Sequence, residues 1–360
     1  MKRFYAGTAA ALLAAVLFLP VEASAVSARN AYVLDAVSGR VMYEKAADQQ
    51  SLIASTTKIM TALVVCEQTN VLDRMRIPKE AVGIEGSSMY LKEGEVLTIQ
   101  ELLYGLMLSS GNDAAVALAT YCGGTVEGFV EMMNDKARVL GLWGTHFENP
   151  NGLDAPGHYS TARDLGVLAA YAMENPIFYK TVSAKSVKIG QRCLTNHNKL
   201  LWQVEGADGV KTGYTKAAGR VLVSSATREG RRLICVTIHD GDDWKDHRAL
   251  LEEGFSRYQT ERIVSAGDPV GTLEVAGADN SRVTVLAAGD FDYALAPEEQ
   301  PQLMLPGPGF VYAPAVEGAD AGFVYVVLEG KAVGKVPVVY GETVEKAPEE
   351  EKSLWERLFG

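Results

Sequence analysis

Three short polar groups in this 360-residue chain carry the side chains that a covalent hydrolase needs. Ser55 and Lys58 stand three residues apart at the start of Ile53–Cys66, a run that is apolar on nearly every side and reads as a buried helix. That spacing sets the serine hydroxyl and the lysine ammonium on one face, one turn apart. A lysine aimed into a buried helix start is costly unless something pairs with it. Desolvation also lowers its pKa, which suits it to take a proton from serine. Ser110-Gly111-Asn112 forms a second group and Lys211-Thr212-Gly213 a third. Each alone has a plainer explanation. Ser55 could cap its helix while Lys58 snorkels to solvent. Ser110 and Asn112 could cap the helix that follows them, and Lys211 could be a solvated charge at a strand end. Together, in this order, they form the set S-x-x-K, S-x-N and K-T-G, which points to an acylated serine with a lysine as its base.

The elements that hold these groups follow from the pattern around them. Tyr32–Val37 and Arg40–Lys45 read as strands joined at Ser38-Gly39. Thr98 and Glu101 form a capping box that opens a helix through Met107. This helix stops at Ser109–Asn112, and a second apolar helix begins with Asp113 as its cap and Ala114–Tyr121 as its body. Ser110-Gly111-Asn112 is therefore expected in a tight loop between buried helices. A further amphipathic helix runs through Phe129 and Leu140 to Gly141, and Ser160-Thr161 caps another. The loop from His146 to Asp154 is dense in turn residues and is expected to line a cleft. Lys211-Thr212-Gly213 opens a strand region, with a hairpin of Arg220–Thr227 and Arg231–His239 around Glu229-Gly230 and a helix over 243–258. Beyond 262, Ile263–Val275, Arg282–Ala287, Phe323–Leu328 and Lys335–Val339 read as strands of a small all-β domain.

Composition narrows the setting. The formal net charge is −11, so nucleic acid is excluded as a partner. Residues 1–25 have the form of a signal peptide. Lys2 and Arg3 precede the apolar run Ala9–Leu19, and Ala23-Ser24-Ala25 gives the cleavage pattern, with a cut after Ala28 as the alternative. The run is too short to span a bilayer, so an exported protein is expected. Cys66, Cys122 and Cys235 lie in apolar elements and are expected as free thiols. No spacing suggests a metal site or a cofactor. The five histidines are scattered, with loop or surface roles expected. Residues 346–352 read as an acidic linker. The terminal Leu354, Trp355, Leu358 and Phe359 share one helical face, which would either touch a membrane surface or pack on the protein.

The three groups and their surroundings resemble the serine D-alanyl-D-alanine carboxypeptidases among the low-molecular-mass penicillin-binding proteins. The likeness extends to the sequence around Ser55, to Gly86-Ser87-Ser88-Met89, to Leu106-Met107 ahead of Ser110–Ala115, to Asn149–Leu153 and to Asp208–Thr215. It covers about residues 29–258. The middle group is S-G-N and not the S-D-N of class A β-lactamases, which favours the peptidase.

This resemblance implies an α+β fold, a β-lactamase/transpeptidase-like domain over 29–262 in which an antiparallel sheet flanked by helices meets a helical subdomain. A small β-rich domain over 263–345 follows. It implies peptidoglycan stem peptides as substrate and β-lactam antibiotics as covalent inhibitors. In the implied division of labour Ser55 is the nucleophile, Lys58 its base and Ser110 a proton relay. Asn112 binds Lys58 and the substrate amide, while Lys211 and Thr212 bind the terminal carboxylate. Gly213 lets the substrate strand approach, and the backbone N–H groups of Ser55 and Tyr214 form an oxyanion hole. A β-lactamase, a cross-link endopeptidase and a non-catalytic wall-binding protein of the same fold are the competing readings.

Overall fold

The computed structural model describes residues 26–279 and 281–348. The leader read at 1–25 and the tail at 353–360 lie outside these residues. In chain order the first domain contains β1 (Asn30–Asp35), β2 (Val41–Lys45), α1 (Lys58–Gln68), β3 (Arg74–Arg76), β4 (Val96–Thr98), α2 (Ile99–Leu108), α3 (Asn112–Gly123), α4 (Val126–Val139), α5 (Ala162–Glu174), α6 (Pro176–Val182), β5 (Ser186–Ile189), β6 (Arg192–Thr195), α7 (Leu200–Gln203), β7 (Ala207–Thr215), β8 (Gly219–Arg228), β9 (Arg231–Ile238) and α8 (Asp243–Arg257).

Strands β2-β1-β9-β8-β7 form one antiparallel sheet in that order. Its first strand is buried along its whole length because β2 and β9 flank it and helices cover both faces. Side chains alternate as the pleat requires. Tyr32 and Leu34 enter the large core shared with α1–α6, whereas Val33 joins Leu222, Leu233, Leu250 and Leu251 under α8. Gly166 lets α5 close onto β1, since a Cβ there would lie 2.6 Å from the Tyr32 ring. Among the described residues no helix is long and apolar enough to cross a membrane, and all four cysteines are free.

Several local expectations give way. Ser55 does not sit in an α-helix but in a single 3₁₀ turn, Ala54–Thr57, on which α1 is stacked. The turn holds because Thr56 donates both its N–H and its hydroxyl to the Ile53 carbonyl. The capping box of Thr98 and Glu101 is formed as read. Asp113, by contrast, is not a cap: α3 starts at Asn112, with Gly111 at the N-cap. The five histidines are not all peripheral, since His158 and His247 are buried.

The second domain comprises β10 (Gln259–Val264), β11 (Pro269–Ala276), β12 (Arg282–Ala287), β13 (Phe291–Leu295), β14 (Gln302–Met304), β15 (Phe310–Tyr312), β16 (Asp320–Leu328) and β17 (Lys331–Tyr340). The segment read as one strand from Ile263 to Val275 is two strands. Ser265–Asp268 interrupts it, with Asp268 accepting from the Ser265 N–H and Gly267 at φ +89°. Strands β14-β16-β17-β12-β11-β15 form one sheet, and β10 pairs with β13. Val283, Val285, Val324, Val326, Val336 and Val338 build its core by strict alternation.

Arg40, at the turn between β1 and β2, joins the two domains. Its guanidinium grips Glu299 through two bonds of 2.7 and 2.6 Å, donates to the Ala294 carbonyl at 2.8 Å and lies 4.5 Å from the centre of the Tyr258 ring. Removing one partner of such a buried pair strands the other's charge. Arg40→Ala is expected to lower stability by about 3 kcal/mol in urea denaturation. Arg40→Lys should recover little of it, because an ammonium matches neither the carboxylate fork nor the ring.

Candidate active site

Lys58 is fully buried, and its Nζ has three neighbours: Ser55 Oγ at 2.9 Å, Asn112 Oδ1 at 2.7 Å and the Asn151 carbonyl oxygen at 2.5 Å. Burial holds its pKa well below the ordinary lysine value, and the charge of Lys211 lowers it further, against a smaller raising effect of Asp113. A neutral amine has two N–H donors and one lone pair. The two carbonyl oxygens can only accept, so they take both N–H groups. The lone pair is then left facing the Ser55 hydroxyl, the one neighbour that can donate. This arrangement can pair a hydroxyl nucleophile with an oriented base.

Each acceptor has its own support. Asn112 is fixed because its Nδ2 donates to the Glu85 carbonyl at 2.5 Å, which settles where its Oδ1 points. The Glu85–Leu91 segment is in turn held by Asp113, which accepts from Ser88 Oγ at 2.6 Å, the Met89 N–H at 3.1 Å and the Leu91 N–H at 3.0 Å. The Asn151 carbonyl is presented by a loop bound to the buried polar residues of the Ser55 turn and α1. Thr61 donates to the Pro150 carbonyl at 2.6 Å, and Thr57 bonds His158 at 2.8 Å. Gly152, at φ +87°, allows this contact, since a Cβ there would lie 2.0 Å from the Ala54 carbonyl oxygen.

The tautomer of His158 follows from its partners. Its Nδ1 accepts from the Glu148 N–H at 3.1 Å, so Nε2 carries the proton and donates to Thr57 Oγ1. Burial pushes its pKa down to about 4. His247, bridging Ser224 and Thr237 under the sheet, is pushed down to about 3 by burial.

Lys211, Thr212, Gly213 and Tyr214 lie on β7, the edge strand of the sheet, beside the Ser55 turn. Lys211 is buried, its Nζ donates to the Thr212 carbonyl at 2.8 Å, and burial lowers its pKa to about 7. A Cβ on Gly213 would stand 3.1 Å from both the Ile53 carbonyl oxygen and the Ser55 nitrogen. The close approach this glycine allows is therefore to the chain's own Ser55 turn, beyond the substrate contact expected of it. A cavity of about 640 Å³ opens here, lined by Ser55, Ser110, Thr212, Gly213 and Tyr214, with Arg220, Asp243 and Trp244 on its wall. Ser110 is held at φ +58°, a region that non-glycine residues rarely occupy. The Tyr214 side chain is exposed. All eight residues singled out from sequence gather around this cavity. Lys58, Asn112 and Lys211 stand behind its surface. Sequence reasoning gave no role to Asp113 at the 85–91 segment, to Thr57, Thr61 and His158, or to the Asn151 carbonyl. The turn-rich Asn149–Leu153 run and the Gly86–Met89 likeness were the visible signals.

A family model described as D-alanyl-D-alanine carboxypeptidase matches residues 19–242, and one described as Penicillin-binding protein 5, C-terminal domain, matches 258–346. The chain is 35% identical to the D-alanyl-D-alanine carboxypeptidase DacC of Escherichia coli, covering 91% of this chain and 86% of that protein. It is 30% identical to DacF of Bacillus subtilis, covering 89% and 86%. The crystal structure of penicillin binding protein 5 from Haemophilus influenzae matches with a TM-score of 0.77 at 30% identity, covering 89% of this chain and 98% of that one. The Streptomyces K15 DD-transpeptidase matches with a TM-score of 0.62 at 35% identity, over 64% of this chain and 98% of that one.

Two outcomes follow from this geometry. Gly152→Ala should cost at least about 2 kcal/mol in chemical denaturation, since the new Cβ meets backbone and the residue is held at positive φ. His158 and His247 should make stability fall in acid. The unfolded chain protonates both rings near pH 6.5, whereas the folded chain refuses the proton until about pH 4 and about pH 3. Stability from this source is full above pH ~6.5 and drops by about 1.4 kcal/mol per pH unit per histidine below it. In denaturation series across pH 7 to 4, His247→Gln should show a shallower slope than the parent chain.

Proposed function

The chain belongs to the D-alanyl-D-alanine carboxypeptidase family and is a serine-type DD-carboxypeptidase acting on peptidoglycan, and from that premise we propose how its residues divide the reaction. The substrate is the stem pentapeptide, cut at its terminal D-Ala-D-Ala bond. Ser55 Oγ attacks the carbonyl carbon of the penultimate D-alanine while its proton passes to Lys58 Nζ. The N–H groups of Ser55 and Tyr214 hold the developing oxyanion. The C–N bond then breaks, and the proton goes to the leaving amine through Ser110, releasing D-alanine. Water, deprotonated by Lys58, attacks the acyl-enzyme and returns Ser55 to its hydroxyl form. Asn112 and the Asn151 carbonyl keep the Lys58 lone pair on Ser55, and this arrangement of Nζ is the observation that carries the reading. Lys211 and Thr212 receive the terminal carboxylate. Gly213 keeps the edge of β7 open to the substrate strand, and β-lactams acylate Ser55 as mimics of the same bond.

Removal of the last D-alanine takes away the bond that a transpeptidase would use, so the reaction limits cross-linking. The setting that fits this substrate is outside the cytoplasm. The leader over 1–25 is removed on export, residues 29–262 form the catalytic domain and 263–345 a β-rich spacer. The linker and amphipathic tail over 346–360 make peripheral contact with the membrane's outer face.

Intact mass after addition of benzylpenicillin should show one adduct on the chain that persists for minutes and is absent in Ser55→Ala. D-alanine release from a synthetic pentapeptide should fall by at least about 10³-fold in that variant. A folded parent chain with neither adduct nor D-alanine release would overturn the reading. The pH profile has two limbs of opposite sign. Lys58 must be neutral to take a proton, so kcat falls as pH drops through its depressed pKa. Lys211 must be charged to hold a carboxylate, so KM rises as pH climbs past about 7.

A further inference from the structure

Near the first described residues the chain rests on a pair of carboxylates, and the cation of this segment, Lys45, donates to the Val26 carbonyl at 2.8 Å instead of pairing with either of them. The Ser27 N–H donates to Asp246 Oδ2 at 2.6 Å, and Ser27 Oγ stands 2.6 Å from Asp240 Oδ1 and 2.9 Å from Asp246 Oδ2. Its hydroxyl has one proton for two carboxylate oxygens. Asp240 is 2% exposed and Asp246 5%. The second oxygen of Asp240 is buried with no hydrogen-bond partner. Among the described residues neither aspartate forms an ion pair; the acids of this region that do, such as Asp243 with Arg220, are neighbours. Burial raises the Asp240 carboxyl above its ordinary value; the Ser27 and Thr237 hydroxyls and the Asp242 N–H lower it in part, and the charge of Asp246 adds a smaller rise. Two buried acids around one hydroxyl are a costly arrangement unless a positive charge reaches them.

The group best placed to bring that charge is the backbone nitrogen of Val26, which lies within about 4 Å of the Ser27 nitrogen by covalent geometry. In an uncut chain it is an amide. Hydrolysis of the Ala25–Val26 bond consumes one water, leaves a carboxylate on Ala25 and frees an amine on Val26 that takes up a proton. We propose that Asp240 and Asp246 form the receptor for the α-ammonium created at Val26 when the leader is removed, an inference that rests on the export reading above. Processing then adds a buried ion pair to the folded domain. A cut after Ala28 would delete Ser27 and leave both carboxylates facing each other, so the site assigns cleavage to the bond before Val26.

The receptor also bears on the cleft. The Asp242 N–H is shared between Asp240 Oδ1 at 3.0 Å and Ser27 Oγ at 3.2 Å, and the next two residues, Asp243 and Trp244, line the cavity, where Asp243 holds the Arg220 guanidinium at 2.6 Å. Ser27 and Asp240 thus hold the entry to α8 together, and the start of that helix forms one wall of the site.

The test uses three chains that run to Gly360 and differ only at the start: one with a free Val26 amine, one acetylated there and one extended by Gly-Ser. The free-amine chain should melt higher than the other two by roughly 3 °C or more. Its α-amino group should titrate above the usual ~7.7–8.0, read by NMR of the ¹³C-methylated amine. Both differences should vanish in the Asp240→Asn/Asp246→Asn variant. Equal melting of all three chains with an ordinary α-amino pKa overturns the receptor. Sequencing of the exported protein is separate. A start at Val26 agrees with the assigned bond, and a start at Arg29 overturns that assignment. An uncut chain overturns the export reading, while the melting comparison still judges the receptor.

Discussion

A lysine held in an apolar core with no counter-charge in contact is the constraint on which this structure turns. Lys58 is fully buried at the start of a helix whose Ile59, Met60, Leu63 and Val64 are buried too, a setting that would expel an ammonium if nothing met it. The chain answers with two carbonyl oxygens and a hydroxyl, and no carboxylate. A carboxylate in contact would hold the proton on the amine, and the amine would then be useless as a base. Neutral acceptors satisfy the N–H groups yet leave the proton affinity low. Asp113, the acid whose charge raises the Lys58 pKa, spends its oxygens on the Ser88 hydroxyl and the N–H groups of Met89 and Leu91 and acts on Lys58 only at a distance.

This solution accounts for much of the surrounding architecture. One acceptor arrives on the start of α3 and the other on the Asn149–Leu153 loop. Both must be held to a few tenths of an ångström for the lone pair to face Ser55. Hence the polar residues of the Ser55 turn and the start of α1: Lys58 and Thr61 reach the Asn149–Leu153 loop, and Thr57 reaches His158 beyond it. Hence also the two glycines that bring backbone onto the Ser55 turn, Gly152 from the loop and Gly213 from β7.

What could be read in the sequence was whatever depends on side-chain type. The serine, the two lysines and Asn112 are legible because few residues can do their chemistry. The capping box at Thr98 is legible because two side chains must cooperate at a fixed spacing. The Asn151 carbonyl was not, since every residue has one and only the fold decides where it points. Asp113 was misread for a related reason: an acid at a helix start ordinarily caps, and only tertiary structure shows that its partners are the N–H groups of a segment more than twenty residues earlier. The 3₁₀ turn at Ser55 escaped notice because i and i+3 lie on one face in either helix type. In the second domain, strands as short as β14 and β15, exposed along much of their length, carry too little periodicity to be seen.

The position of β1 has a consequence for how the chain reaches this state. Asn30, near the start, pairs with Ile238, about two hundred residues later, and β1 is buried between β2 and β9. A chain delivered from its N-terminus makes the β1–β2 hairpin first, but the hairpin has no sheet to join until β9 follows. Local helices such as α2 to α4 form in the interval, while the catalytic sheet closes late. Until then the apolar strand β1 has an unpaired edge open to other chains. Assembly of the sheet beside the Ser55 turn is therefore slow in the sense set by topology, and the interval before closure is when this enzyme is most exposed to aggregation and proteolysis.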